Sequence, residues 1–198
     1  MSFYPPDVSL RCRAVARAGS LDGANADGTA ASFVCGSFAT LLLRINDGGL
    51  IEDAGFQTNG CGFMVASADV VCGWLRGKPV TDLHGLNDAE LSDAVIGSLR
   101  EFPSDRSQCA EIVFDALRKA MATYRERRVN EFTGDAALIC TCFGVSEDTI
   151  VGVIASKNVH EVEEVSEICR AGSGCGSCRM LIRELIDVEI AVSRNKSG

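Results

Sequence analysis

Cys140-Thr141-Cys142-Phe143-Gly144-Val145-Ser146 and, further on, Ala171-Gly172-Ser173-Gly174-Cys175-Gly176-Ser177-Cys178 place a CxC pair and a CxxC pair at the two ends of one short segment. Two helix-like patterns lie between them. A short pair pre-sets two ligands at close range, so folding has only to bring two pairs together to build one metal centre. Gly172, Gly174 and Gly176 surround the second pair. They let the backbone crowd a cluster and turn its amides toward sulfur. Spacing alone leaves three readings open: an iron-sulfur cluster, a structural zinc site with four cysteine ligands, and a pair of disulfides.

Working outward, 198 residues allow one or two domains with cores of their own. The formal net charge is -8, divided as -3 up to Asn130 and -5 beyond it, so no basic arm hides in the average. That balance argues against a general nucleic-acid binder and against an anionic-membrane binder. Met1 to Asp27 holds no unbroken apolar core of a signal peptide, and no stretch approaches 18 apolar residues. The expectation is a soluble, cytoplasmic protein. Ten cysteines would be unusual there as a disulfide framework, and metal binding or sulfur chemistry is the more natural use. The two histidines, His84 and His160, have no histidine or cysteine nearby at ligand spacing and read as surface or satisfied residues.

Turn residues punctuate Met1 to Thr29 around a short helix expected over Val8 to Ala18. The run Phe38 to Ile45 ends at Asn46-Asp47-Gly48-Gly49 and resumes over Leu50 to Thr58, which reads as a β-hairpin, with a further strand near Ala30 to Val34. Helices follow over Phe63 to Arg76, from an Asn87 cap with Glu90 reaching back, and over Ala110 to Tyr124. Residues 126 to 137 read as a polar linker. Beyond it, helices are expected from a Ser146 cap to Ile154, over Glu161 to Cys169 and over Met180 to Ile190, with no room for strands between them. The fold class is therefore α+β, a small antiparallel sheet packed with helices over residues 1–128, followed by a small all-α domain over 136–192.

Three cysteines of the first domain sit at junctions. Cys35 precedes the hairpin, Cys61 stands between a strand and a helix start, and Cys109 lies just before the clearest helix. A helix start presents free amides and favours thiolate, which makes Cys61 and Cys109 candidates for reactivity or metal binding. Cys12, Cys72 and Cys169 fall inside helical patterns and read as inert.

The CxC and CxxC segments with their glycines, over about residues 138 to 188, closely resemble the bacterioferritin-associated-ferredoxin type of 2Fe-2S domain. That resemblance implies a permanent 2Fe-2S cluster on Cys140, Cys142, Cys175 and Cys178, with zinc as the rival. Gly19-Ser20-Leu21-Asp22, Cys35-Gly36, the block Ile51 to Gly62, Gly77-Lys78 and Cys109 resemble the IscU-type scaffold for iron-sulfur cluster assembly over about residues 4 to 125. Together the two halves look like the first two thirds of the NifU family, without the third domain and its CxxC. The resemblance implies a scaffold and not an enzyme. A cysteine desulfurase would supply sulfur, iron and electron donors would contribute, and a transient cluster on Cys35, Cys61 and Cys109 would pass to apo iron-sulfur proteins. Cys109 would be the persulfide acceptor. The family usually carries an aspartate two residues after the first cysteine and a histidine before the third; here those positions are Ser37 and Gln108. Both are poor ligands, so weaker zinc binding is expected, with a fourth ligand from a partner, a small thiol or a second copy in a homodimer. The chaperone-reading segment is altered to Phe102-Pro103-Ser104-Asp105-Arg106, and chaperone binding is not carried over. The alternative is an electron-transfer or redox-sensing 2Fe-2S protein whose scaffold half is a docking module.

Overall fold

The computed structural model describes residues 3–83, 86–131 and 137–196, with the side chains of 193–196 left out of the description. The expectation for His84 falls outside the described residues. Two compact units divide at Tyr124/Arg125. Each is described by itself.

In the first unit, β1 (Ala26–Ala31), β2 (Phe38–Ile45) and β3 (Ile51–Thr58) form an antiparallel sheet in the order β1-β2-β3. Alternation in Phe-Ala-Thr-Leu-Leu-Leu-Arg-Ile sends Ala39, Leu41, Leu43 and Ile45 inward, where each is at most 3% exposed. Leu41 stands opposite Gly28 on one side and Phe56 on the other. The hairpin is as the sequence predicts. The outer strand lies earlier than expected, at Ala26–Ala31, because its inward positions Ala26, Gly28 and Ala30 are small. A methyl group on Gly28 would overlap the backbone of Ala116, Lys119 and Ala120, so the strand and a helix meet at glycine distance.

The helices of the unit are α1 (Pro6–Arg13), α2 (Gly62–Leu75), α3 (Asp88–Leu99) and α4 (Ser107–Asn130), the last of which continues six residues past the unit's boundary. α1 stops five residues before the expected end, since the chain past Arg13 runs extended beside β3: Phe56 N donates to Arg17 O at 2.9 Å and Gly19 N to Phe56 O at 2.8 Å. α2 is apolar nearly all round and accordingly buried. Its one buried charge, Asp69, is 1% exposed and accepts from Arg11 at 2.9 Å and Arg17 at 3.4 Å, tying the N-terminal segment to the helix. The expected Asn87/Glu90 capping box opens α3. α4 runs six residues past the expected end, into the segment read as a linker. Arg125-Glu126-Arg127-Arg128 are good helix formers, and Arg127 pairs with Glu131 one turn on at 2.7 Å.

The second unit departs from the expected all-α domain ahead of its first helix; between its helices, as expected, no strand lies among the described residues. β4 (Leu138–Cys140) and β5 (Val145–Ser146) pair as a short antiparallel ribbon, which folds the CxC segment back on itself. The helices α5 (Glu147–Lys157), α6 (Val162–Cys169) and α7 (Arg179–Lys196) follow. Ser146 caps α5 by accepting from Thr149 N, as predicted. Ile150, Val165, Ala171, Ile182 and Ile186 are fully buried, and Cys140, Cys142 and Cys178 belong to the same core. His160 is exposed, and its backbone N–H donates to Glu164.

Candidate metal centres

The ribbon ends at Cys140, Cys142 follows in its turn, and the loop before α7 supplies Cys175 and Cys178. Cys140, Cys142 and Cys178 are at most 6% exposed, and Cys175 lies at the surface. Cys142 Sγ is 3.5 Å from Cys175 Sγ. Cys140 hydrogen-bonds with both Cys142 and Cys178, so all four sulfurs form one connected group. Backbone amides face them, from Phe143 and Gly172 to Cys140, from Gly172 to Cys178, from Cys175 to Cys142 and from Ser177 to Cys175. Gly172 takes φ +86°, and a methyl group there would stand 2.9 Å from Ser166 Oγ, so this amide-presenting turn needs glycine.

Those donors favour negative sulfur. The hydrogen bond from Cys142, joined by the amides, holds the Cys140 thiol down at about 5. The Ser177 hydroxyl lowers Cys175. The same contact with Cys140 raises Cys142, and burial pushes Cys178 up to about 11. The Arg170 guanidinium lies 4.3 Å from the Phe143 ring centroid, adding a cation next to the CxC turn. Soft sulfur donors and converging amides in an apolar wall fit an iron-sulfur cluster. Among the described residues, no group of three or more Cys, His, Asp or Glu side chains is already arranged to hold a metal ion. A two-iron cluster takes four thiolates, which two close pairs supply.

In the first unit, Cys61 is the N-terminal cap position of α2 and is exposed; Cys109 lies in the first turn of α4 and is 6% exposed. Their sulfurs are 3.6 Å apart. Cys35 is exposed in the β1–β2 loop, which closes through Ser32 N to Ser37 O at 2.8 Å and Gly36 N to Ser32 O at 2.9 Å. The hydroxyls of Ser32 and Ser37 hydrogen-bond to Cys35 and lower its thiol to about 7. Cys35 lies within electrostatic reach of Cys109. The structure thus pairs two of the three predicted cysteines and sets the third nearby.

At Cys109 the expected helix-start effect loses to burial, which pushes the thiol up to about 12. Gln108 is exposed. Cys72 is a fully buried core residue, and Cys169 donates to Val165 O at 3.2 Å, both as expected of inert thiols. Sequence reasoning missed Ser32, Arg106 and Tyr4. Arg106 stands one helical turn before Cys109, opposes the rise of its thiol and lies 5.9 Å from the Phe63 ring. Tyr4 accepts from Gly62 N at 3.0 Å. The i, i+3 spacing to each cysteine carried a signal for Ser32 and Arg106; nothing local marks Tyr4.

Residues 13–131 match the family model of the NifU-like N terminal domain. The chain belongs to the NifU-like N-terminal domain family. Residues 138–188 match the BFD-like 2Fe-2S binding domain, so a 2Fe-2S cluster is the cofactor class of the second unit. The NifU-like chain is 29% identical over 182 residues to the nitrogen fixation protein NifU of Azotobacter chroococcum mcd 1, covering 91% of this chain and 58% of that protein. It is 32% identical over 94 residues to the iron-sulfur cluster assembly scaffold protein IscU of Escherichia coli (strain K12), covering 48% of this chain and 70% of that one. The chain spans 53% of the length of the NifU protein of Nostoc sp. (strain PCC 7120), a little over half. In fold, the NifU-like unit is similar to the N-terminal NifU-like protein of Brucella abortus, with a TM-score of 0.50 and 19% identity over 63% of this chain and 95% of that one. Among the described residues no helix is long and apolar enough to cross a membrane.

Proposed function

We propose that this protein is a scaffold on which an iron-sulfur cluster is assembled and from which it passes to apo-proteins. One observation carries the reading: the Cys61 and Cys109 sulfurs lie 3.6 Å apart at two helix starts, with the exposed Cys35 loop within electrostatic reach. Three thiolates hold a cluster, and an open rim leaves a way out. The second unit would hold its permanent 2Fe-2S cluster on Cys140, Cys142, Cys175 and Cys178, which supplies one-electron chemistry when bound. It acts by binding and assembly, without turnover of a substrate of its own.

Its partners in this reading are a cysteine desulfurase, iron and electron donors and apo iron-sulfur proteins; nucleic acid and membranes are not among them, and the compartment is the cytoplasm. Cys35 is the better first acceptor of sulfur, since it is exposed and its thiolate is stabilised by two hydroxyls, whereas Cys109 is buried and protonated. The thiolate attacks the outer sulfur of the donor's persulfide, the donor S–S bond breaks, and the donor cysteine leaves as thiolate. No net oxidation occurs.

Anaerobic incubation of the full chain with ferrous iron, cysteine, a cysteine desulfurase and an electron donor that reduces persulfide sulfur to sulfide tests the reading. The expected result is iron and sulfide beyond the permanent cluster, lost when Cys35, Cys61 and Cys109 are all replaced by Ser. A second reading rests on the neutral Ser37 and Gln108 at positions where the family carries ligands: an electron-transfer or redox-sensing protein with a docking half. It takes over if no additional cluster forms while the permanent one cycles between redox states.

A further inference from the structure

The three scaffold cysteines leave a tetrahedral iron one ligand short, and Ser37 and Gln108 offer neither an anion nor an imidazole. A fourth thiol stands at the same helix start. Cys12, on α1, donates through Sγ to Gly62 O at 3.3 Å, one residue from Cys61, and the Cys12 and Cys61 thiols lie within electrostatic reach. Unlike Cys72, which is sealed in the core, Cys12 is half-buried.

The placement of Cys12 is built. Tyr4, two residues before α1, accepts from Gly62 N at 3.0 Å and packs edge-on against Phe63 with centroids 5.1 Å apart. Arg11, beside Cys12 in α1, pairs at 2.9 Å with the buried Asp69 of α2. Three anchors from one segment therefore hold Cys12 over the turn that carries Cys61. Its hydrogen bond to a carbonyl is a weak thiol donation that a metal bond outweighs.

Resting on the scaffold reading, we propose that Cys12 is the fourth ligand of the transient cluster, so that the site is filled by four thiolates of one chain. On binding, the Cys12 S–H bond breaks, the proton goes to solvent and an iron–sulfur bond forms, with no electron transferred. Soft thiolate replaces the oxygen or nitrogen ligand that Ser37 and Gln108 no longer offer.

The test uses the full chain with its permanent cluster carrying ordinary iron, and supplies ferric 57Fe and inorganic sulfide in place of cysteine and a desulfurase, so that no small thiol is present and the added 57Fe reports only the scaffold site by Mössbauer spectroscopy. The parent chain should show all-sulfur doublets. Cys12→Ala and Cys12→Ser should move one of each two new irons to a doublet of higher isomer shift, and a chelator should strip the cluster about tenfold faster. Unchanged doublets and stripping rates in both variants overturn the proposal. Alkylation of the unmodified protein tests it without mutation: Cys12 is labelled when the site is empty and protected when it is loaded, and equal labelling overturns it. If the parent loads, Cys61→Ala abolishes loading and Cys12 has no effect, the scaffold stands and this inference falls. If the parent takes up no 57Fe, both fall.

Discussion

Ser37 and Ser32 act on the chemistry of one sulfur. Each hydroxyl hydrogen-bonds to Cys35, and together they hold its thiol at about 7, below the ordinary 9.0. The thiolate is the reactive form, so in protein without a scaffold cluster the alkylation rate of Cys35 should rise with pH to a midpoint near 7. Ser37→Ala and Ser32→Ala remove stabilisation of the anion, and each should move that midpoint up toward the ordinary thiol value, slowing labelling at neutral pH. An unmoved pH–rate curve would show that the hydroxyls do not act on this sulfur. At Gly172, φ +86° and the crowding of Ser166 leave no room for a side chain. Gly172→Ala should cost about 1–3 kcal/mol of backbone strain, read as bleaching of the permanent cluster's visible absorption at a lower temperature. Such effects are half legible in the sequence. Glycine beside CxxC is visible, while the burial that reverses the expected behaviour of Cys109 depends on α4 meeting the rest of its unit.

Elements show where local pattern decides and where packing does. The β2–β3 hairpin, the Asn87 box on α3 and the Ser146 cap on α5 rest on near neighbours in sequence, and each is found where its residues place it. The β4–β5 ribbon escaped the sequence reading because strands of three and two residues are too short to carry an alternation. The length of α4 escaped it because polarity resembles a linker, although arginine and glutamate favour helix. The start of β1 is a packing effect: Gly28 lets the strand touch the backbone of α4. Gly28→Val should force the two apart at a cost of about 1–3 kcal/mol, lowering the thermal midpoint of the first unit while the second unit's cluster absorption stays intact. Parallel loss of both signals would mean that the damage is not confined to this contact.

At the scale of the whole molecule, two units with their own cores carry two cysteine constellations that ask for opposite behaviour. Cys140, Cys142 and Cys178 are buried among core side chains and amides, as suits a cluster that stays. Cys35 and Cys61 are exposed and only Cys109 is buried, as suits one that leaves. Fragments 1–131 and 137–198 should each fold, the second only with its cluster; cutting beyond Asn130 keeps α4 whole. Circular dichroism that finds 1–131 unfolded would contradict this separability. The central claim is tested most directly by offering the chain, loaded at both sites, to an apo 2Fe-2S protein and following both partners by visible circular dichroism. The account predicts that the acceptor gains its cluster while the chain loses one and keeps the one held by Cys140, Cys142, Cys175 and Cys178. Retention of both clusters, or transfer that persists when Cys35, Cys61 and Cys109 are all replaced by Ser, would contradict it.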